Sequence, residues 1–129
     1  MNSEEIYTED PFFFDSYAFF EILNGNKDYE KYKAFKIVTT KLNLFELYLI
    51  LLRDVDEETA EKNLNKYYPF ITDFDENVIK GAAKLKNQLN NRNISMTDCI
   101  GYILAKQLEI KFLTGDKEFK DLENVEFVK

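Results

Sequence analysis

The sequence contains no histidine, one cysteine (Cys99) and four widely spaced glycines (Gly25, Gly81, Gly101 and Gly115). Without histidine there can be no serine–histidine or cysteine–histidine triad, no H-E-x-x-H zinc site and no imidazole proton shuttle. Glycines so far apart cannot form a P-loop or a dinucleotide-binding fingerprint. A lone cysteine excludes an internal disulfide and a cysteine-rich zinc site, and it suits a reducing compartment. Long apolar runs are missing too. The longest covers residues 47–52, far short of the ~20 residues that span a bilayer. The first ten residues carry four acids and no basic group, unlike a secretory signal. A cytoplasmic protein with no membrane association is expected. The remaining chemistry must run on carboxylates, hydroxyls, lysines or a metal held by oxygen.

The chain of 129 residues fits one domain spanning 1–129, since a domain averages ~150 residues. Apolar residues make up 45%, which argues against disorder. The net charge of −7 argues globally against a nucleic-acid partner. The distribution is less simple. Residues 80–120 hold eight basic and four acidic groups, a local +4 that leaves −11 on the rest. That segment reads either as a solvated surface or as a basic rim around an acidic pocket.

Residues 11–14 form a short aromatic run suited to a buried strand, and residues 16–23 read as a helix stopped by Asn24-Gly25-Asn26. A short charged helix is expected over 27–33 and a β-branched strand over 36–40. Asn43 can cap a helix over 44–53, and a polar helix follows over 56–65. Residues 69–72 suggest a third strand. Asp75 can cap a helix over 76–90, with Ala82, Leu85 and Leu89 as its apolar stripe. Ser95 caps a helix over 96–108. Strands over 110–113 and 125–128 flank a turn at Thr114-Gly115-Asp116. Strands alternating with helices predict an α/β fold around a parallel sheet.

Ligands of an open parallel sheet bind outside the carboxyl ends of its strands. Asp15 directly follows the first predicted strand, and Asp116 follows the fourth after a two-residue turn. Glu46 falls in the first turn of the helix after the second strand, and Asp98 in the first turn of the helix leading to the fourth. Each has a plain structural explanation. Asn43 to Glu46 and Ser95 to Asp98 fit capping boxes, the first loosely, and Asp15 and Asp116 can each cap the helix that follows. Converging, the four carboxylates would form an oxygen-rich site suited to Mg²⁺ or Mn²⁺.

The order of these motifs resembles the PIN domain, and more closely the VapC-type toxin ribonucleases of toxin–antitoxin pairs. The resemblance runs from Phe12 to Val128. It rests on an apolar strand entering Asp15-Ser16, on Glu46 in Asn43-Leu-Phe-Glu46-Leu, and on Met96-Thr-Asp98-Cys-Ile-Gly. Ile110-Lys-Phe-Leu-Thr114-Gly-Asp116-Lys-Glu-Phe119 completes it. Ser16 stands where the family often has Thr, Tyr17 where it has a small or polar residue, and Thr97 where it usually has Ala. Glu118 does not clearly match an additional acid sometimes found there. The resemblance implies a three-layer α/β/α sandwich with a central parallel sheet. It implies a Mg²⁺-dependent (or Mn²⁺-dependent) endoribonuclease with Asp15, Glu46, Asp98 and Asp116 as metal-binding and catalytic acids. Ser16 and Thr114 would be supporting hydroxyls.

On that reading, Lys117 either touches a phosphate or is a solvated helix residue. The implied partners are RNA, a cognate antitoxin and a second copy of the chain. A helix apolar apart from Glu46 over residues 44–52 fits either a dimer face or burial within one domain. Two other classes compete. A phosphoryl-accepting receiver domain would need paired acids after the first strand, where only Asp15 stands. A catalytically inactive PIN-like binding module would keep the fold and use it for protein contacts.

Overall fold

A computed structural model describes residues 10–129. Residues 1–9, most of the acidic start considered above, lie outside the described residues. Four strands form one all-parallel sheet in the order β2-β1-β3-β4: β1 (Phe12–Phe14), β2 (Ile37–Val38), β3 (Lys111–Thr114) and β4 (Val125–Phe127). Phe13 lies opposite Val38 on one side and Phe112 on the other. Side chains alternate along a strand, so neighbouring residues serve opposite faces. Phe13 and Phe112 join a core with Val78, Ala82, Ile100 and Tyr102. Phe14 and Leu113 join another with Phe19, Tyr29, Leu44 and Leu47. This is why β1 is all phenylalanine and the middle of β3 is Phe112-Leu113: a parallel sheet is covered on both faces.

The helices divide accordingly. α1 (Ser16–Leu23), α2 (Lys41–Asp54) and α3 (Glu57–Tyr67) supply the Phe14 face, together with a 3-10 helix over Lys27–Ala34. α4 (Glu76–Gln88) and α5 (Met96–Gln107) supply the Phe13 face. The expected three-layer α/β/α sandwich with a central parallel sheet is therefore the observed architecture. Gly101 lets α5 lie directly on the sheet, because a Cβ there would come within 2.7 Å of Phe13 Cε1.

Two expectations are corrected, and one left open is narrowed. Residues 69–72 do not form a strand. Pro69 lacks an N–H, Tyr68–Phe70 curl into a 3-10 turn, and pairing shrinks to one parallel bridge between Thr39 and Ile71. Asn43 does not cap α2. Thr40 does, accepting from Asn43 N at 3.2 Å, so the helix starts earlier and Glu46 falls in its second turn. The apolar run over 44–52 is not buried all round. Leu44, Leu47 and Leu51 face the core, while Phe45 is 67% exposed and Leu49 and Leu52 are also exposed.

Half of the eight basic groups in segment 80–120 are spent on pairs. Arg92 grips Asp121 through two bonds, Lys106 meets Glu123 at 2.7 Å, and Lys80 and Lys111 lie near Glu76 and Glu126. No helix among the described residues is long and apolar enough to cross a membrane.

Candidate active site

The strand order creates a crevice at one place. From β1 the chain passes to β2 on one side, then crosses to β3 on the other side of β1, and the last two helices of that crossing, α4 and α5, lie on the face opposite α1. Such a reversal opens a cleft outside the carboxyl ends of the strands. β1 runs straight into Asp15, and β3 ends at Thr114, two residues before Asp116. α2 follows β2 and so starts at the same edge, carrying Glu46. α5 leads into β3 and must begin at the far end of that strand, so its first turn brings Asp98 to the carboxyl edge. The charges of Asp98 and Asp116 act on Asp15, and those of Glu46 and Asp116 act on Asp98.

Asp15 is the most constrained. It is 2% exposed and caps α1, with Oδ1 accepting from Ala18 N at 2.7 Å. Burial pushes its carboxyl up to about 8, against hydrogen bonds from Thr114 and Ala18 that favour the charged form. Asp98 is also raised, by burial first, with repulsion from Glu46 and Asp116 adding to it. It completes a capping box: its N–H donates to Ser95 Oγ at 3.0 Å and its Oδ2 accepts from Ser95 N at 3.2 Å. Asp116 Oδ1 accepts from Glu118 N at 2.9 Å, capping a 3-10 turn over Lys117–Phe119, and its own N–H donates to Thr114 Oγ1 at 3.0 Å. The capping explanation thus holds for these three aspartates, and it places them at the crevice as well. It fails for Glu46.

Glu46 is held differently. Ser16 Oγ donates to its Oε1 at 2.7 Å and accepts from Asn43 Nδ2 at 3.2 Å. Asn43 Oδ1 in turn accepts from Thr40 Oγ1 at 2.6 Å. Thr40 and Asn43 are buried, so this relay of donors pointing towards one carboxylate is protected from water. Thr39 Oγ1 donates to Phe14 O at 3.0 Å and fixes the end of β2 against the strand that carries Asp15. The sequence reading missed Thr39, Thr40 and the relay role of Asn43. Adjacent threonines closing a β-branched run were the available signal.

This donor set is hard oxygen throughout, the chemistry that suits Mg²⁺ or Mn²⁺. A cation would also relieve the burial and mutual repulsion of Asp15 and Asp98. Among the described residues no three carboxylates yet stand close enough to coordinate one ion. Each has an oxygen engaged by a backbone N–H or a hydroxyl. The chemistry of the residues fits a divalent ion, and the arrangement is an electrostatic cluster rather than a closed cage.

These features define a doubly wound α/β domain with a carboxylate-lined switch point. The PIN domain family model matches residues 12–125, and the chain belongs to that family. PIN domains are generally nucleases and typically use divalent metals. Among solved structures, the chain is similar to a toxin–antitoxin complex from Klebsiella pneumoniae, with a TM-score of 0.70 and 14% identity over 88% of this chain and 94% of that one. It is also similar to VapBC2 from Rickettsia felis bound to a promoter DNA fragment, with a TM-score of 0.68 and 17% identity over 92% and 97% of the two chains. At these identities the likeness concerns the fold. No curated protein matches the chain.

Proposed function

We propose that this protein is a Mg²⁺- or Mn²⁺-dependent endoribonuclease, acting in the cytoplasm as the toxin of a VapBC-type pair. The observation that carries the reading is Asp15: a carboxylate buried at the switch point with Asp98 and Asp116 acting on it. Burying an acid among acids is costly unless a cation offsets it. Asp15, Asp98 and Asp116 would hold the ion, directly or through water. A bound divalent ion supplies charge neutralisation at the phosphate and a water of lowered pKa. Glu46, aimed by Ser16, orients the attacking water or helps hold a second ion. Thr114 steadies both Asp15 and Asp116. Hydrolysis then joins a water oxygen to phosphorus and breaks the bond to the 3′ oxygen, which takes up a proton. The products are a 5′-phosphate and a 3′-hydroxyl.

The solved neighbours are toxin–antitoxin assemblies, which supports an antitoxin as partner. The exposed apolar face of α2, with Phe45, Leu49 and Leu52, supports a homodimer. A second reading, an inactive PIN-like binding module, draws on the absence of three converged carboxylates among the described residues. The experiment that separates the two is cleavage of mixed RNAs with Mg²⁺, Mn²⁺ or EDTA. Metal-dependent cleavage supports the nuclease, and intact RNA under every condition supports the binding module.

A further inference from the structure

Arg92 differs from the other three paired basic groups of segment 80–120. Its side chain is the least exposed of the four, at 26%, and it makes three bonds at once. Nη1 donates to Glu118 O at 2.8 Å and to Asp121 Oδ1 at 2.8 Å, and Nη2 donates to Asp121 Oδ2 at 3.0 Å. A planar guanidinium fork suits such a grip, whereas a lysine offers a point charge.

The fork joins two segments that each lead to an acid of the site. On one side lies the connection between α4 and α5. Arg92 N donates to Leu89 O at 2.9 Å, and Lys86 Nζ donates to Ile94 O at 2.8 Å, so that short connection is held at both ends. Ser95 follows at once and forms the capping box with Asp98. On the other side lies the turn after β3. Glu118 takes part in both contacts there: its carbonyl accepts from Arg92, and its N–H holds Asp116 Oδ1 at 2.9 Å. The next residue, Phe119, is buried and packs on Phe112 with ring centroids 5.1 Å apart. Asp98 and Asp116 are thus linked through a run of fixed groups with Arg92 in its middle.

A partly exposed ion pair adds little to global stability. Its effect on geometry is larger. Carboxylates on two independently moving segments must be brought together each time a cation binds, and preorganisation removes that cost. We propose that Arg92 is a positioning residue of the site. By bracing the Asp116 turn against the start of the Asp98 helix, it sets the spacing at which these two carboxylates receive a divalent ion. The inference rests on the metal-dependent reading and adds to it a residue that touches neither ion nor RNA. Charge alone gives the opposite sign. Removing a cation and leaving Asp121 unpaired makes the neighbourhood more negative, which would tighten cation binding. Loss of positioning weakens it.

The test titrates Mn²⁺ into the full-length protein without RNA and follows the electron paramagnetic resonance signal of the free ion. Arg92→Ala removes the brace, and Arg92→Lys keeps the charge but loses the fork. Lys106→Ala is the control: it breaks the pair with Glu123 in the last turn of α5, the end away from Asp98. Both Arg92 variants should raise the Mn²⁺ dissociation constant roughly 10-fold, and Lys106→Ala should match wild type. The Mn²⁺ concentration for half-maximal RNA cleavage should rise by the same factor, with KM for RNA little changed. Arg92→Lys carries the test alone if Arg92→Ala does not fold. Unchanged or tighter Mn²⁺ binding in the Arg92 variants overturns the positioning role while the metal site stands. Equal weakening in Lys106→Ala overturns it too, since general loosening then accounts for the loss. A wild type that binds no Mn²⁺ at millimolar concentration overturns both the brace and the metal-dependent reading.

Discussion

At the scale of single residues, Asp15 dominates the electrostatics. Its ordinary value is 3.8 and the folded protein holds it up to about 8. Below about pH 4 both folded and unfolded chains carry the proton, and the contribution to stability is fully present. Between those limits the unfolded chain releases its proton while the folded one keeps it. Stability therefore falls as pH rises from about 4 to about 8, and the slope ends once Asp15 ionises in both states. Melting temperatures measured in EDTA should show this decline, and Asp15→Asn should flatten it. The variant keeps the cap on Ala18 and should be more stable at pH 8 by on the order of 2 kcal/mol, although inactive. A melting temperature unchanged by Asp15→Asn across that range would show that the carboxyl carries no such burden. Asn43 presents the opposite case. Asn43→Ala strips partners from Thr40 and Ser16 and should cost about 1–3 kcal/mol, readable by urea unfolding. The aspartates could be read from the sequence because each stands at a strand end or helix cap, where local rules apply. The Thr40–Asn43–Ser16–Glu46 relay could not. It joins two helices distant in sequence, and Asn43 looked like a cap until Thr40 took that place.

At the scale of elements, the legible parts were those with strong periodicity or a clear stop. α1 ends before Asn24-Gly25 as expected, and Ser95 and Asp75 start α5 and α4 as expected. The failures came where tertiary contacts overrode local signals. Residues 69–72 had strand composition, but Pro69 and the single bridge to Thr39 left them a turn. The short helix expected over 27–33 is present as a 3-10 helix over Lys27–Ala34, and only the burial of its Tyr29 and Tyr32 in the core went unforeseen. Two element-level outcomes are expected. Gly101→Ala should force α5 away from Phe13 and cost about 1–3 kcal/mol, seen as a lowered urea midpoint; an unchanged midpoint would show that the helix moves freely. Phe45→Glu, on the exposed face of α2, should convert a dimer to a monomer in equilibrium sedimentation without lowering the melting temperature of the monomer. A wild type that sediments as a monomer at micromolar concentration removes the dimer.

At the scale of the whole molecule, strand order is what turns scattered acids into one cluster. Alternating helices and strands indicate a parallel sheet, yet alternation alone does not say which strands are neighbours. Order is set by pairings between distant segments, such as Phe13 with Phe112, and these leave no local trace. Because β1 and β3 are adjacent at the reversal, Asp15 and Asp116 share a crevice, and α5 returns Asp98 to it. A ligand that binds only the folded state raises its melting temperature, so millimolar Mg²⁺ or Mn²⁺ should do so at pH 8, and less in Asp15→Asn. No shift with either ion would mean that the four acids are not a metal site. The most direct measurement is cleavage of a pool of structured and single-stranded RNAs, with Mn²⁺, Mg²⁺ or EDTA, by wild type and Asp98→Asn side by side. The account predicts cleavage by wild type that requires the metal, leaves 5′-phosphate ends and disappears in Asp98→Asn. Cleavage that persists in EDTA or in Asp98→Asn would contradict it.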